Sequence, residues 1–226
     1  MGLYDAAIDN YLNEQGIDKQ IKKIVREQAN VLGILLQHAN TESILPETLW
    51  KTKNRDDSIF DLSNYWQQND DNTKILQNLY AVSDTVFGQH KCNHLSLFVV
   101  HNDILLRLIT IGSSNDAVLN LGEDGWQKHL AARVATSAWL NICDDCSLWL
   151  QNNDLSGSHY NNAKRLWALP ICRKTGGVVG VLYGEDKINK TWQSDLLASW
   201  IALAIVLPDL LENIQSMFTN ISLPEK

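Results

Sequence analysis

Two pairs of short apolar runs, each joined by a tight polar turn, limit what this chain can build. Residues 94–101 and 104–111 are separated only by Asn102-Asp103, a connection of the composition that hairpins favour. Residues 166–172 and 178–183 are separated by Arg173-Lys-Thr-Gly-Gly177, a polar turn with paired glycines. Helical patterns surround these pairs. Residues 73–90 place Ile75, Leu76, Leu79, Val82, Val86 and Phe87 on one side. A second helix is expected over 122–136, entered through Gly122-Glu-Asp-Gly125 and followed by a short strand at 139–142. The last helix starts at Thr191 or Ser194 and should bend or split at Pro208, which removes a backbone donor and crowds the preceding turn. Helix, strand pair, helix, strand pair and final helix make an α+β pattern.

The first seventy residues read differently. Apolar side chains recur at helical spacing over 3–14 and 17–39, with Gly16 as the punctuation between two helices and Asp18 as the start of the second. Residues 40–71 are rich in Thr, Asn, Asp, Ser and Gln and read as a structured connector, because Trp50 and Trp66 bring aromatic area that is normally buried. The expected divisions are a helical extension and connector over 1–71, a main domain over 72–217 and a tail over 218–226.

Charge and composition narrow the function classes. The chain has 19 basic and 26 acidic residues, a formal charge of −7, which repels a phosphate backbone unless cations gather on one face. The densest basic groups, Lys19, Lys22, Lys23 and Arg26, then Lys51, Lys53 and Arg55, lie among carboxylates and read as solvated faces. No nucleic-acid partner is expected. The amino terminus lacks a basic region and an apolar core, Ala6 stands where myristoylation wants Ser or Thr, and the longest apolar stretch, 196–207, is interrupted by Ser199. A cytoplasmic protein without membrane insertion follows, in which Cys92, Cys143, Cys146 and Cys172 stay reduced.

Several phrases then resemble the GAF domain family. Gly125-Trp-Gln-Lys-His-Leu-Ala-Ala-Arg-Val134 followed by Trp139-Leu-Asn-Ile-Cys-Asp144 is similar to that family's passage from a small-residue helix into a strand ending in Asp. Leu166-Trp-Ala-Leu-Pro-Ile171 and Gly176-Gly-Val-Val-Gly-Val-Leu-Tyr183 are similar to its two central strands. The resemblance covers about residues 72–217. It implies an antiparallel sheet of five or six strands with helices on its faces, a ligand pocket between the sheet and the loop after the third strand, and a homodimer formed through terminal helices. A small-molecule ligand or a regulatory protein partner is implied, and no particular cofactor. Asp186-Lys-Ile-Asn-Lys-Thr-Trp192 echoes only the first half of the family's cyclic-nucleotide signature, and no bilin-attachment motif is present.

Within that frame the candidate ligand-binding residues are Arg107, Cys143, Asp144, Cys146, Trp149, His159, Arg165, Trp167 and Tyr183. Arg107 interrupts an apolar strand, and Arg165 with Lys164 stands where the 143–164 loop ends, so these cations are the first choices for an anionic ligand. Trp149, Trp167 and Tyr183 could wall a planar ligand, although aromatics are more often core. Cys143-Asp-Asp-Cys146 has the spacing of a redox dithiol or half a metal site, but Asp144 and Asp145 oppose thiolate formation. A structural zinc wants four ligands and no second CxxC exists, so ordinary reduced cysteines are preferred. His90, Cys92 and His94 read as a helix end with one buried thiol. The family also contains free methionine sulfoxide reductases, which use pocket cysteines; Cys143, Cys146 and Cys172 are the set that such a reaction would need. No catalytic residue or metal ligand is assigned. The expected function is a regulatory or sensory module, with a ligand-free adaptor and the cysteine-dependent reductase as alternatives.

Overall fold

The computed structural model describes residues 4–38, 94–111, 118–122, 129–143, 145–146, 163–186 and 194–218. The expected helix at 73–90, the connector and the boundary at 71 lie outside these residues. The elements are α1 (Asp5–Glu14), a 3₁₀ turn (Lys19–Ile21), α2 (Lys22–His38), β1 (His94–His101), β2 (Ile104–Ile111), β3 (Val118–Asn120), α3 (Leu130–Ser137), β4 (Asn141–Cys143), β5 (Arg165–Cys172), β6 (Val178–Asp186), α4 (Ser194–Val206) and α5 (Pro208–Phe218). The strands form one antiparallel sheet in the order β3-β2-β1-β6-β5-β4. Six strands and flanking helices are what the resemblance implies.

Both anticipated turns form. Asn102 takes φ 51° between β1 and β2, a conformation that Asn accepts more readily than most residues. Gly176 and Gly177 take φ 91° and 82°, which lets the Arg173 amide donate to the Gly177 carbonyl at 2.9 Å and close the β5–β6 turn. Gly16 ends α1 at φ 64°, and the Asp18 carboxylate accepts from the Gln20 amide at 2.9 Å. Pro208 splits the last helix in two and opens α5 at its first position, where a missing N–H costs nothing.

Two boundaries differ from expectation. His129 is extended, with φ −126° and ψ 123°, so α3 begins at Leu130. The strand expected at 139–142 pairs only from Asn141. The second difference has its cause far away in the chain. Ala138 turns left-handed at φ 58°, and the side-chain amide of Gln15 donates to the Ala138 carbonyl at 2.9 Å and accepts from the Leu140 amide at 2.5 Å. Residues 138–140 are thereby held as a turn.

Alternation along the strands sends side chains to two faces. The larger core lies between the sheet and α1, α2, α4 and α5, where Leu95, Leu97, Val99, Leu169 and Leu182 meet Ile8, Leu12, Val25, Trp200 and Leu211. Trp167 lies nearly parallel to Trp200, with ring centroids 4.1 Å apart and planes 12° from each other. Its strand neighbour is Gly184, and a Cβ on Gly184 would sit inside the Trp167 indole. Glycine is thus what lets a tryptophan lie flat against the sheet. The Tyr11 hydroxyl donates to the Pro170 carbonyl at 3.0 Å, tying α1 to β5. The smaller core, on the other face, contains α3 with Phe98, Leu105, Leu166, Val181, Cys143 and Cys146.

Gly184→Ala should therefore cost stability toward the upper end of the roughly 1–3 kcal/mol range of overpacking, and Trp167→Ala about 3–5 kcal/mol. Urea midpoints measure both, and a wild-type midpoint for Gly184→Ala would contradict the packing.

Burial also holds His101, 4% exposed at the end of β1, below the ordinary 6.5. The folded chain then binds fewer protons than the unfolded chain as pH falls through 6.5, so this residue's contribution is present above that value and is lost on acidification. His101→Gln should flatten the stability profile between pH 7 and 5, measured by urea denaturation at each pH.

Candidate functional site

The sheet face opposite the Trp167–Trp200 stack carries His94, Ser96, Arg107, Tyr183, Glu185 and two thiols, and register sets the strand residues in rows. Cys143, Leu166, Glu185 and His94 are successive cross-strand partners over β4, β5, β6 and β1. Two residues along, Ala168, Tyr183 and Ser96 form the next row, and beyond it Val181, Phe98 and Arg107 form a third that ends on β2. Apolar members make the floor. The polar members occupy two corners, His94, Ser96, Tyr183, Glu185 and the thiols at one and Arg107 at the other.

Hydrogen bonds organise the first corner. Ser96 Oγ lies 2.9 Å from His94 Nε2, and the Tyr183 hydroxyl donates to Glu185 Oε1 at 2.6 Å. The His94 and Tyr183 rings meet edge to face at 5.9 Å and 62°. Ser96 is fully buried, His94 5% exposed and Tyr183 7% exposed. A polar group is buried without loss only where it is hydrogen-bonded, and both pairs satisfy that condition.

The two thiols lie next to this corner. Cys143 Sγ and Cys146 Sγ are 3.9 Å apart, and both residues are buried. The Cys146 amide donates to the Lys164 carbonyl at 3.2 Å, and the Lys164 amide to the Asp186 carbonyl at 2.8 Å, so the backbone around the pair is fixed to the ends of β5 and β6. The hydrogen bond with Cys143, burial, and the negative charge of Glu185 and Asp145 together push the Cys146 thiol far above its usual range. Reactive cysteines have the opposite environment, electropositive and partly exposed. Among the described residues no three His, Cys, Asp or Glu side chains are placed to hold a metal ion.

The candidate residues named from sequence separate into three groups. Arg107, Cys143, Cys146 and Tyr183 share the face that packs on α3. Trp167 does not: it belongs to the helix-side core against Trp200, so it is packing and no wall of this face. Arg165, one residue before Leu166 and two before Trp167, has the strand phase of Trp167 and lies opposite Asp186 in register. Asp144, Trp149 and His159 lie outside the described residues. Ser96, Glu185 and the place of His94 on this face went unassigned in the sequence. The signal was the alternation in His94-Leu-Ser96 and Tyr183-Gly-Glu185, where a polar residue occupies every second place on one face.

The reductase set is also divided. Cys143 is level with Leu166, and Cys172 lies six residues further along β5, about 20 Å at 3.3 Å per residue. There burial and the nearby Glu14 carboxylate raise its thiol to about 11.

No protein-family model and no curated protein matches the sequence. Solved structures do match the fold. The GAF domain of a phosphoenolpyruvate-protein phosphotransferase from Coxiella burnetii superposes with a TM-score of 0.56 at 14% identity, over 86% of this chain and 98% of that one. The GAF domain of a two-component sensor histidine kinase from Bacillus halodurans gives 0.51 at 20% identity, over 65% of this chain and 97% of that one. A type II free methionine-R-sulfoxide reductase from Thermoplasma acidophilum gives 0.51 at 13% identity, over 62% and 92%. With six antiparallel strands in this order and helices on both faces, the chain has a GAF-like α+β fold.

Proposed function

We propose that the protein is a regulatory, sensory module of the cytoplasm that takes a small molecule or a partner segment against the loop-side sheet face and relays occupancy through a helical homodimer interface. In this reading residues 72–217 form the sensing unit and residues 1–71 carry its state onward. The observation that supports it is the polar corner of buried His94, Ser96 and Tyr183 with half-buried Glu185, set on a largely apolar floor. Such a cluster adds nothing to packing that aliphatic side chains would not supply more cheaply. For the relay, Val31 and Ile34 lie three residues apart on α2, 57% and 55% exposed, an apolar pair on a helix whose other side packs on α4. Among the described residues no helix is long and apolar enough to cross a membrane.

The reductase reading is disfavoured by the separation of Cys172 from the other two thiols and by the acidic setting of Cys146. Substituting Cys143, Cys146 and Cys172 by Ser one at a time should leave any sulfoxide turnover at background in every variant and in wild type. Brief iodoacetamide treatment of the native protein at pH 8 should leave Cys143 and Cys146 unmodified, read by peptide mass spectrometry, with labelling appearing only in denaturant.

The sensing reading predicts that native mass spectrometry of protein purified without additives finds a bound small molecule, and that Ser96→Ala or Tyr183→Phe lowers its occupancy several-fold. A wild-type protein that carries nothing and shifts its melting temperature with no compound in a metabolite screen would favour the ligand-free adaptor. The relay predicts a mass near twice 25.5 kDa in sedimentation equilibrium, reduced to the monomer by Ile34→Glu. A wild-type monomer at high concentration would remove it.

A further inference from the structure

The connection 138–140 is held by α1 in a conformation that its own residues do not favour. Ala138 is left-handed at φ 58°, a region that a residue with a Cβ keeps only when its surroundings over-determine it. Trp139-Leu-Asn-Ile142 has the apolar and aromatic character of a strand, yet pairing starts at Asn141. Two side chains of α1, one helical turn apart, account for both facts. A side-chain amide carries a donor and an acceptor together, and Gln15, 9% exposed, commits both to this connection: its Nε2 donates to the Ala138 carbonyl at 2.9 Å and its Oε1 accepts from the Leu140 amide at 2.5 Å. Continuing the β4–β5 register by two residues would set Trp139 opposite Pro170. Pro170 has no N–H, and its carbonyl already accepts from the Tyr11 hydroxyl at 3.0 Å, so a longer β4 finds no free backbone partner there. The Trp139 amide donates instead to the Ser137 hydroxyl at 3.3 Å, and the Trp139 side chain is exposed.

The grip is stiff on the α1 side. That helix closes with the Ile17 amide on the Leu12 carbonyl at 2.9 Å and the Gly16 amide on the Asn13 carbonyl at 3.2 Å, Gly16 supplying the left-handed φ of 64°. Gln15 thus stands at a capped helix end, and Ile8 and Leu12 of the same helix are buried in the helix-side core. At the other end of the grip, the connection joins α3 to the strand of Cys143, and both belong to the cluster that contains Tyr183.

We infer that Gln15 is a latch that couples α1 to the α3 side of the sheet around its β4 edge. It keeps 138–140 in the turn, and a shift of α3 or β4 that opens the two Gln15 bonds lets Trp139 and Leu140 leave it, so each layer biases the state of the other. The latch gives the relay proposed above a path and rests on that reading for its purpose alone, since the coupling belongs to the chain without ligand and is measured there.

Amide hydrogen exchange of the full chain, followed residue by residue by NMR, tests it. Gln15→Met removes both bonds at similar volume and should speed exchange of the Leu140 amide about tenfold or more, while α4 amides keep wild-type rates. Val134→Ala truncates a buried residue of α3 whose carbonyl accepts from the Ala138 amide. It should speed exchange in α1 when Gln15 is present and leave α1 unchanged in the Gln15→Met background, whereas uncoupled sites give equal effects in both. If Gln15→Met loosens the whole fold, seen as faster α4 amides, wild type alone decides: in increasing urea the Leu140 and Ile17 amides should exchange through one opening with a common urea dependence. Wild-type Leu140 exchange in Gln15→Met overturns the latch. So does a Val134→Ala effect on α1 that is absent in the wild-type background or equal in both, and so do separate urea dependences for Leu140 and Ile17.

Discussion

The contact between Trp167, Gly184 and Trp200 is the constraint on which the remaining architecture depends. A tryptophan on a central strand can lie against its own sheet only if the neighbouring strand offers no side chain beneath it, and Gly184 meets that condition. The second indole, on α4, then stacks on the first at 4.1 Å. Aromatic pairs of this kind contribute roughly 0.5–1.5 kcal/mol beyond the area that they bury. Here the pair also fixes distance and angle, because α4 cannot rotate without separating the rings. Once α4 is placed, α1 and α2 pack upon it, and the Asp5–Arg26 contact at 2.5 Å joins the two. A second close approach repeats the device at the opposite end of β6: a Cβ on Gly180 would meet Leu211 of α5 and the Phe98 carbonyl at 2.5 Å each.

Because strands alternate, the side of β5 and β6 that accepts this aromatic stack sets what the opposite side can be. Trp167 and Leu182 point to the helices, so Leu166, Ala168, Val181 and Tyr183 must point to α3 and the thiols. The candidate site is therefore built from the same few strands as the main core and is displaced from it by one residue. A shift of one residue in register would exchange the two faces completely, placing Tyr183 among the helices and Trp167 under α3. The bulk of Trp167 has a partner on only one side, which makes that exchange costly.

Much of this architecture was legible in the chain. The two hairpins, the glycine after α1 and the break at Pro208 all come from residues whose backbone preferences act locally, and local preferences are what a sequence displays most openly. The misplaced boundary near 139 has a different origin. Gln15 holds the turn at Ala138 and Leu140 across more than 120 positions of chain, and nothing in Ala138-Trp139-Leu140 itself announces that a side chain from α1 will occupy its hydrogen bonds. The candidate site divides along the same line. Arg107 stood out as a charge within an apolar strand, whereas Trp167 was misassigned because strand phase, which decides the face, cannot be read from aromatic character. His94, Ser96 and Glu185 were readable in principle from their period of two, yet each is an ordinary residue whose interest comes only from its cross-strand neighbours.

The two faces of the sheet are joined by the strands themselves and by polar contacts through α5. Along β6, Tyr183 on one face lies between Leu182 and Gly184, which meet the helix-side core on the other. The polar route runs through α5. Arg173, in the β5–β6 turn, donates to Gln215, whose amide donates to the Val100 carbonyl of β1 at 2.7 Å, and Lys174 contacts Asp209 at 3.0 Å. Exposed ion pairs such as Lys174–Asp209 add at most about 1 kcal/mol, so these links contribute little to stability. What they contribute is geometric, since α5 is attached at once to Val100 near the end of β1 and to the β5–β6 turn, at the end of the sheet opposite the row of His94 and Glu185. A change in the spacing of β1 and β6 must therefore be accommodated by α5 or break one of these contacts, and rigid packing of Leu211 over Gly180 leaves accommodation by the helix as the easier course.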